Sequence, residues 1–227
     1  MARIDIKGVI TASEDSWIYD WFGISHVDPK TVLQALADNP EGETADIYIN
    51  SPGGDLNAGV EIYEELRQYG GDIMIHIMQA CSAASVIMCA GPSEISPAGL
   101  VMIHNVSGMF SGDHNDMAHA EQILRAVDKT VAGAYVNKTG KPLETWIDKM
   151  NAETWLSAEE AVELGLVDKI SGSDDSKNGI VSMPKIAAST AGLLPADVIN
   201  KMRSERATAA ARLRLLNLKA EKEATTV

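Results

Sequence analysis

Hydrolysing a peptide bond at neutral pH needs an activated nucleophile, a base to take its proton, and donors for the oxyanion that develops. Three segments of this chain offer those residue types. In Gln79-Ala80-Cys81-Ser82-Ala83-Ala84 a serine stands where an apolar strand meets a run of small residues. A hydroxyl there sits at a helix N-terminus, among backbone N–H groups without intrahelical acceptors. Taken alone, Ser82 reads more readily as a plain N-cap. In Val101-Met102-Ile103-His104-Asn105 a histidine ends a strand and opens a loop. This is where α/β sheets present a general base, although a lone histidine more readily fits a packed structural role. Ser51-Pro52-Gly53-Gly54 supplies backbone without bulky side chains, suited to close approach of a substrate or to an ordinary turn.

The elements that must position these residues alternate between the two periodicities. Ile4 to Ile10 alternates as a strand, and a polar and aromatic insertion follows over 11–27. Asp28-Pro29 predicts a helix start, with Val32, Leu33 and Leu36 as its buried stripe. Ala45 to Asn50 predicts a strand, Leu56, Val60, Tyr63 and Leu66 a helix stopped at Gly70-Gly71, and Ile73 to Met78 a further strand. Ser82 to Ala90 reads as one buried helix ending at Gly91-Pro92, and Leu100 to Ile103 as a short strand. A long helix is expected over 115–138, with Met117, Ile123, Leu124, Val127, Val131 and Ala134 on one side. Ser157 and Glu160 have capping-box spacing for a helix closing at Gly165. This order predicts an α/β fold with a mainly parallel sheet and crossover helices. Composition shifts after Ile170, giving a main domain at 1–171, a linker at 172–194 and a helical C-terminal arm at 195–227.

Bulk properties narrow the function. The chain has 227 residues, 45% hydrophobic and 22% charged, with a formal net charge of -13. So acidic a protein repels nucleic acid and anionic membranes, so neither is expected as a partner. No apolar run approaches the roughly 20 residues needed to span a bilayer. Cys81 and Cys89 are placed about 12 Å apart by one helix, too far to bridge, which fits a reduced, cytoplasmic setting. His114 and His119 do not share a helical face, and no metal or other cofactor is expected. Ser85, one turn past Ser82, reads as a packed small residue, and Cys81 as an inert buried thiol. His26 and His76 have no partner legible in the sequence.

Together the three segments resemble the proteolytic subunit of the Clp protease, from about Ile4 to Ile170. Asp46-Ile47-Tyr48-Ile49-Asn50 running into Ser51-Pro52-Gly53-Gly54 is similar to the family's strand-plus-glycine element. The resemblance implies that Gly53 and Gly54 line the oxyanion and substrate site. Gln79-Ala80-Cys81-Ser82 matches the nucleophile segment, with Ala90-Gly91 at the family's distance. On that match Ser82 is the nucleophile and the Ala83 N–H an oxyanion donor. Met102-Ile103-His104 matches the segment of the base. Trp155-Leu156-Ser157-Ala158, Glu160-Ala161-Val162-Glu163 and Gly165-Leu166-Val167-Asp168 match the late segment. The family's triad aspartate falls at Glu153, with Asp148 as the alternative acid. The implied fold is the Clp-protease/crotonase-like spiral of parallel strands with crossover helices, plus the arm. The implied activity is that of a serine endopeptidase.

The departures point to a narrower group. Met78 stands where the family has glycine. Only Met1-Ala2-Arg3 precede the first strand, where the housekeeping subunit carries a segment that helps dock a ring ATPase, so no ring ATPase is expected. That front, Ser82-Ala83-Ala84-Ser85, Glu153-Thr154-Trp155 and the arm resemble the Clp-like head maturation proteases of tailed phages and prophages. The expected partners are then a capsid or scaffold protein as substrate and further copies of the chain in a ring. The expected setting is the host cytoplasm or the procapsid. Two other classes stay open. One is a catalytically weak ring scaffold, which the glutamate and the arm would suit. The other is a different enzyme on the same fold: an acyl-CoA enzyme, in whose usual chemistry Ser82 and His104 would have no role, or a signal-peptide peptidase, which needs a lysine base where this chain offers His104.

Overall fold

The computed structural model of the chain describes residues 2–40, 42–172 and 194–224. A seven-stranded sheet is built from β1 (Ala2–Ile10), β2 (His26–Val27), β3 (Ala45–Gly54), β4 (Ile73–Cys81), β5 (Ser93–Ile103), β6 (Thr154–Ser157) and β7 (Lys169–Ile170). Its order is β2-β1-β3-β4-β5-β6, with β7 also on β5. Every pairing is parallel except β5 with β6. Parallel neighbours need crossovers. The chain supplies them as α1 (Ser16–Trp21), α2 (Pro29–Ala37), α3 (Leu56–Gln68), α4 (Ala83–Ile87), α5 (His114–Thr139), α6 (Leu143–Asn151) and α7 (Ala158–Glu163). A last helix, α8 (Ala196–Ala224), forms the arm. The expected parallel α/β architecture with a C-terminal helix is the one observed.

Strand alternation decides which face is covered. Ile4, Ile6, Ile47, Ile49, Ile75, Ile77, Val101 and Ile103 are all buried and join one core with the helices. On the opposite side the alternate positions are partly or fully exposed, and several are polar. His76 sits between two carboxylates, Nε2 3.0 Å from Asp46 and Nδ1 2.9 Å from Glu94, and its ring stacks on Tyr48. Burial pushes the Glu94 carboxyl up, but contacts with His76 and Lys169 outweigh it and hold it below its ordinary range. His76 thus has partners on both neighbouring strands, which only the pairing register reveals.

Local signals account for most helix ends. The Asp28 side chain accepts from the Thr31 N–H, with Pro29 in the first turn, as predicted. Ser157 and Glu160 form the capping box of α7. Several elements differ from expectation. Leu33 is 47% exposed, because α2 turns Pro29, Val32 and Leu36 inward. The run from Ser82 divides, with α4 followed by a 3₁₀ turn over Met88–Ala90, and Cys81 closes β4. Strand β5 starts at Ser93 rather than Leu100, its foot held by Asp168, which accepts from the Ser93 N–H at 2.7 Å and from Lys138 Nζ at 2.8 Å. The helix α6 was not anticipated, although Leu143, Trp146, Ile147 and Met150 have its spacing after Pro142. In α5 the buried residues gather toward the C-terminal end, while Met117 and Ile123 are exposed.

The linker placed at 172–194 falls, its end residues apart, outside the described residues. The foot of α8 rests on the insertion over 11–27. Arg203 Nε lies 2.6 Å from Asp15 Oδ1, the Leu194 N–H donates to Tyr19 Oη at 3.2 Å, and Arg206 stacks on Trp17.

Candidate active site

The Ser82 turn is built where β4 ends and α4 begins. Ser82 has φ 54° and ψ -124°, one of two non-glycine residues with positive φ among those described. A side-chain-bearing residue there stores strain of about 1–3 kcal/mol and persists only if its surroundings hold it. They do so at both peptide groups. The Ser82 N–H donates to Met102 O at 2.9 Å. The Ser82 carbonyl accepts from the Ser85 N–H at 2.9 Å and from Ser85 Oγ at 2.6 Å. The sharp turn projects the serine side chain away from the strand, and Ser82 Oγ lies 2.7 Å from His104 Nε2. When the ring carries its proton on Nδ1, Nε2 accepts the hydroxyl. His104 directly follows β5, two residues past the Met102 that pins the serine's N–H, so one strand fixes both halves of the pair.

The glycine element packs against this turn. A Cβ on Gly53, which has φ +96°, would come 2.7 Å from Ser82 Cβ and 3.1 Å from Ala83 N. A Cβ on Gly54 would come 2.1 Å from Ile10 O. Neither position admits a side chain. The Gly53 N–H donates to Ser51 Oγ at 3.0 Å, and Ser51 Oγ donates to Gly8 O at 2.6 Å. The buried Ser51 thereby joins β3 to β1 beside the site, a role the sequence motif did not reveal. Ala83 is the first residue of α4, so its N–H has no acceptor within the helix.

The acid position is set by the β5–β6 ladder. Met102 pairs with Trp155 and Ile103 with Thr154, antiparallel. Extending that register by one residue sets His104 opposite Glu153. Just beyond, Asn105 Nδ2 donates to Asn151 Oδ1 at 2.9 Å and ties the two segments together. Glu153 is exposed, with φ 46°, and its carboxylate accepts from Trp155 Nε1 at 3.3 Å. Among the described residues no hydrogen bond joins Glu153 to His104. Asp148 is also exposed, on α6. The asparagine pair escaped the sequence reading because α6 did.

The remaining candidates sort by burial. Burial pushes both thiols up, Cys89 to about 12, which suits inert packing. Ser85 is fully buried, as expected of a packed small residue, but its hydroxyl is hydrogen-bonded to Ser82 O and to Tyr135 Oη. His26 is partnered too, with Nε2 2.7 Å from Ser16 Oγ and Nδ1 3.0 Å from Ile24 O.

A family model for Clp protease matches residues 28–174, well over half of the chain. The chain belongs to the Clp protease family. The match spans the glycine element, Ser82, His104 and Glu153. Membership in the Clp protease family carries serine peptidase activity, and its members typically act on protein substrates and form rings.

Proposed function

We propose that the protein is a serine endopeptidase with Ser82 as nucleophile, His104 as general base and Glu153 as the acid. The 2.7 Å contact between Ser82 Oγ and His104 Nε2 at a strained turn carries this reading. In the proposed mechanism Ser82 Oγ attacks the scissile carbonyl carbon as its proton passes to His104 Nε2. The Ala83 N–H and the Gly54 backbone take the oxyanion, and Gly53 keeps the approach clear. The Glu153 carboxylate stabilises the imidazolium from the Nδ1 side. The tetrahedral adduct collapses, the amine leaves with the proton from His104, and water releases the acyl group by the reverse sequence.

The biological role we propose is head maturation in a tailed phage or prophage. Ser82-Ala83-Ala84-Ser85, Glu153-Thr154-Trp155 and the C-terminal helix support it. Its substrates would be accessible segments of capsid or scaffold proteins, cut by a homo-oligomeric ring in the host cytoplasm or the procapsid. Among the described residues no helix is long and apolar enough to cross a membrane. A second reading, a ring scaffold with weak turnover, is favoured by one observation, the bond of Glu153 to Trp155 in place of His104.

Labelling with a fluorophosphonate probe separates the two. The wild type is expected to label, and Ser82→Ala and His104→Ala are not. An unlabelled wild type, or labelling that survives in Ser82→Ala, would overturn the peptidase assignment. Co-expression with phage capsid and scaffold proteins, read by their cleavage, tests the biological role.

A further inference from the structure

We infer that Ser85 and Tyr135 are positioning residues that aim the Ala83 N–H at the oxyanion, an inference that rests on the serine peptidase reading. A peptide unit is planar and trans, so its C=O and N–H point in opposite directions. The Ser82 carbonyl and the Ala83 N–H belong to one such unit. Whatever fixes the direction of that carbonyl fixes the direction of the donor. Two bonds from Ser85 fix it, from the backbone N–H at 2.9 Å and from Oγ at 2.6 Å.

Hydrogen accounting then sets the order of the chain. A carbonyl oxygen only accepts, so Ser85 gives its one hydroxyl proton to Ser82 O. Ser85 Oγ, 2.7 Å from Tyr135 Oη, is left as acceptor, and Tyr135 is the donor. Tyr135 is 1% exposed and Ser85 0%, so no water competes for either hydroxyl. Burial pushes the Tyr135 phenol far above its ordinary range, so it keeps the proton it donates. Tyr135 lies in the buried stretch of α5, wedged against Trp146 of α6 at 5.5 Å between ring centroids. The Ser82 turn is thus braced by a buried hydroxyl pair anchored in another helix. The contact is absent from the Ser–His–acid description and is directed at the transition state. It acts on a donor that matters once negative charge has formed, and touches no part of a bound substrate.

The test uses Ser85→Ala, Tyr135→Phe and the double variant in the full chain. Saturation kinetics with the fluorophosphonate probe separate its binding constant from its maximal acylation rate, and the thermal midpoint is measured alongside. Ser85→Ala is expected to lower the maximal rate about tenfold with the binding constant unchanged, the scale of one lost buried hydrogen bond. Tyr135→Phe is expected to lower it about threefold, because Ser85 keeps its bond to Ser82. The double variant should acylate as slowly as Ser85→Ala yet melt higher, since its tyrosine hydroxyl is no longer orphaned. A purely structural role predicts midpoints that fall while maximal rates hold. Wild-type rates in both single variants, or losses that multiply in the double, overturn the inference while leaving the peptidase reading intact. Should Ser85→Ala not fold, Tyr135→Phe decides alone. A wild type that fails to label overturns both.

Discussion

Glu153 differs from the other site residues in what holds it. Ser82 and its flanking peptide groups have fixed partners, and His104 is anchored by the strand that ends at Ile103. Glu153 is held by the ladder register on one side and by Trp155 Nε1 on the other. A glutamate has one more rotatable bond than an aspartate, so it can leave the indole and reach Nδ1 as positive charge grows on the ring. Glu153→Gln is therefore expected to lower kcat at least about tenfold without changing the thermal midpoint, because it removes the charge and preserves the shape. Wild-type kinetics in Glu153→Gln, together with a loss in Asp148→Asn, would move the role to Asp148. The proposed nucleophile and base stand out in the sequence because each lies at a strand end, Ser82 inside the ungapped run from Gln79 to Gly91 and His104 inside Met102-Ile103-His104. The hydrogen-bonded roles of Ser51, Ser85 and Asn151 do not. They depend on contacts between residues 43, 50 and 46 positions apart, and no local pattern encodes those.

At the scale of elements, the N-terminus of α2 shows how a local signal acquires a tertiary role. Asp28 reads from sequence as an N-cap, and it is one. Its carboxylate also gathers the hydroxyls of Ser13, Ser16 and Thr31, so it ties the insertion over 11–27 to α2. Burial pushes the Asp28 carboxyl up. The hydrogen bonds from Ser13, Thr31 and Ser16 outweigh it and hold the group below its ordinary 3.8. A group depressed in the folded state stabilises fully above its unfolded value and loses that contribution as pH falls through the folded one. Asp28→Ala is expected to cost about 2 kcal/mol at neutral pH, the sum of a lost cap and orphaned hydroxyls. The gap between variant and wild type should close below about pH 4. Thermal melts from about pH 6 to about pH 2 check this, and a gap constant across that range would refute it. The same comparison explains the misread elements. Leu33 belongs to the apolar stripe by spacing but lies beyond what the sheet covers. The early start of β5 is imposed by Asp168 and Lys138, distant residues whose charges clamp its foot.

For the whole molecule, α5 joins the site to the surface available for assembly. Its 26 residues extend about 39 Å. The stretch around Val131 to Tyr135 is packed into the domain and braces the nucleophile turn. The N-terminal half carries Met117 and Ile123, 40% and 42% exposed, and the loop before it carries Met109 and Phe110, 85% and 45% exposed. Four large apolar side chains at one end of a domain mark a surface meant to be covered. In a family whose members form rings, a second copy of this chain is the occupant we expect. The arm is a separate device, because Arg203 and Arg206 seat its foot on the insertion, away from α5. Ile123→Asp should therefore shift the protein to smaller species in light scattering while leaving circular dichroism unchanged. Truncation after Gly172 should leave the oligomer in place. A wild type that is a monodisperse monomer with full activity would refute assembly. Dissociation on truncation, with Ile123→Asp without effect, would transfer the contact to the arm.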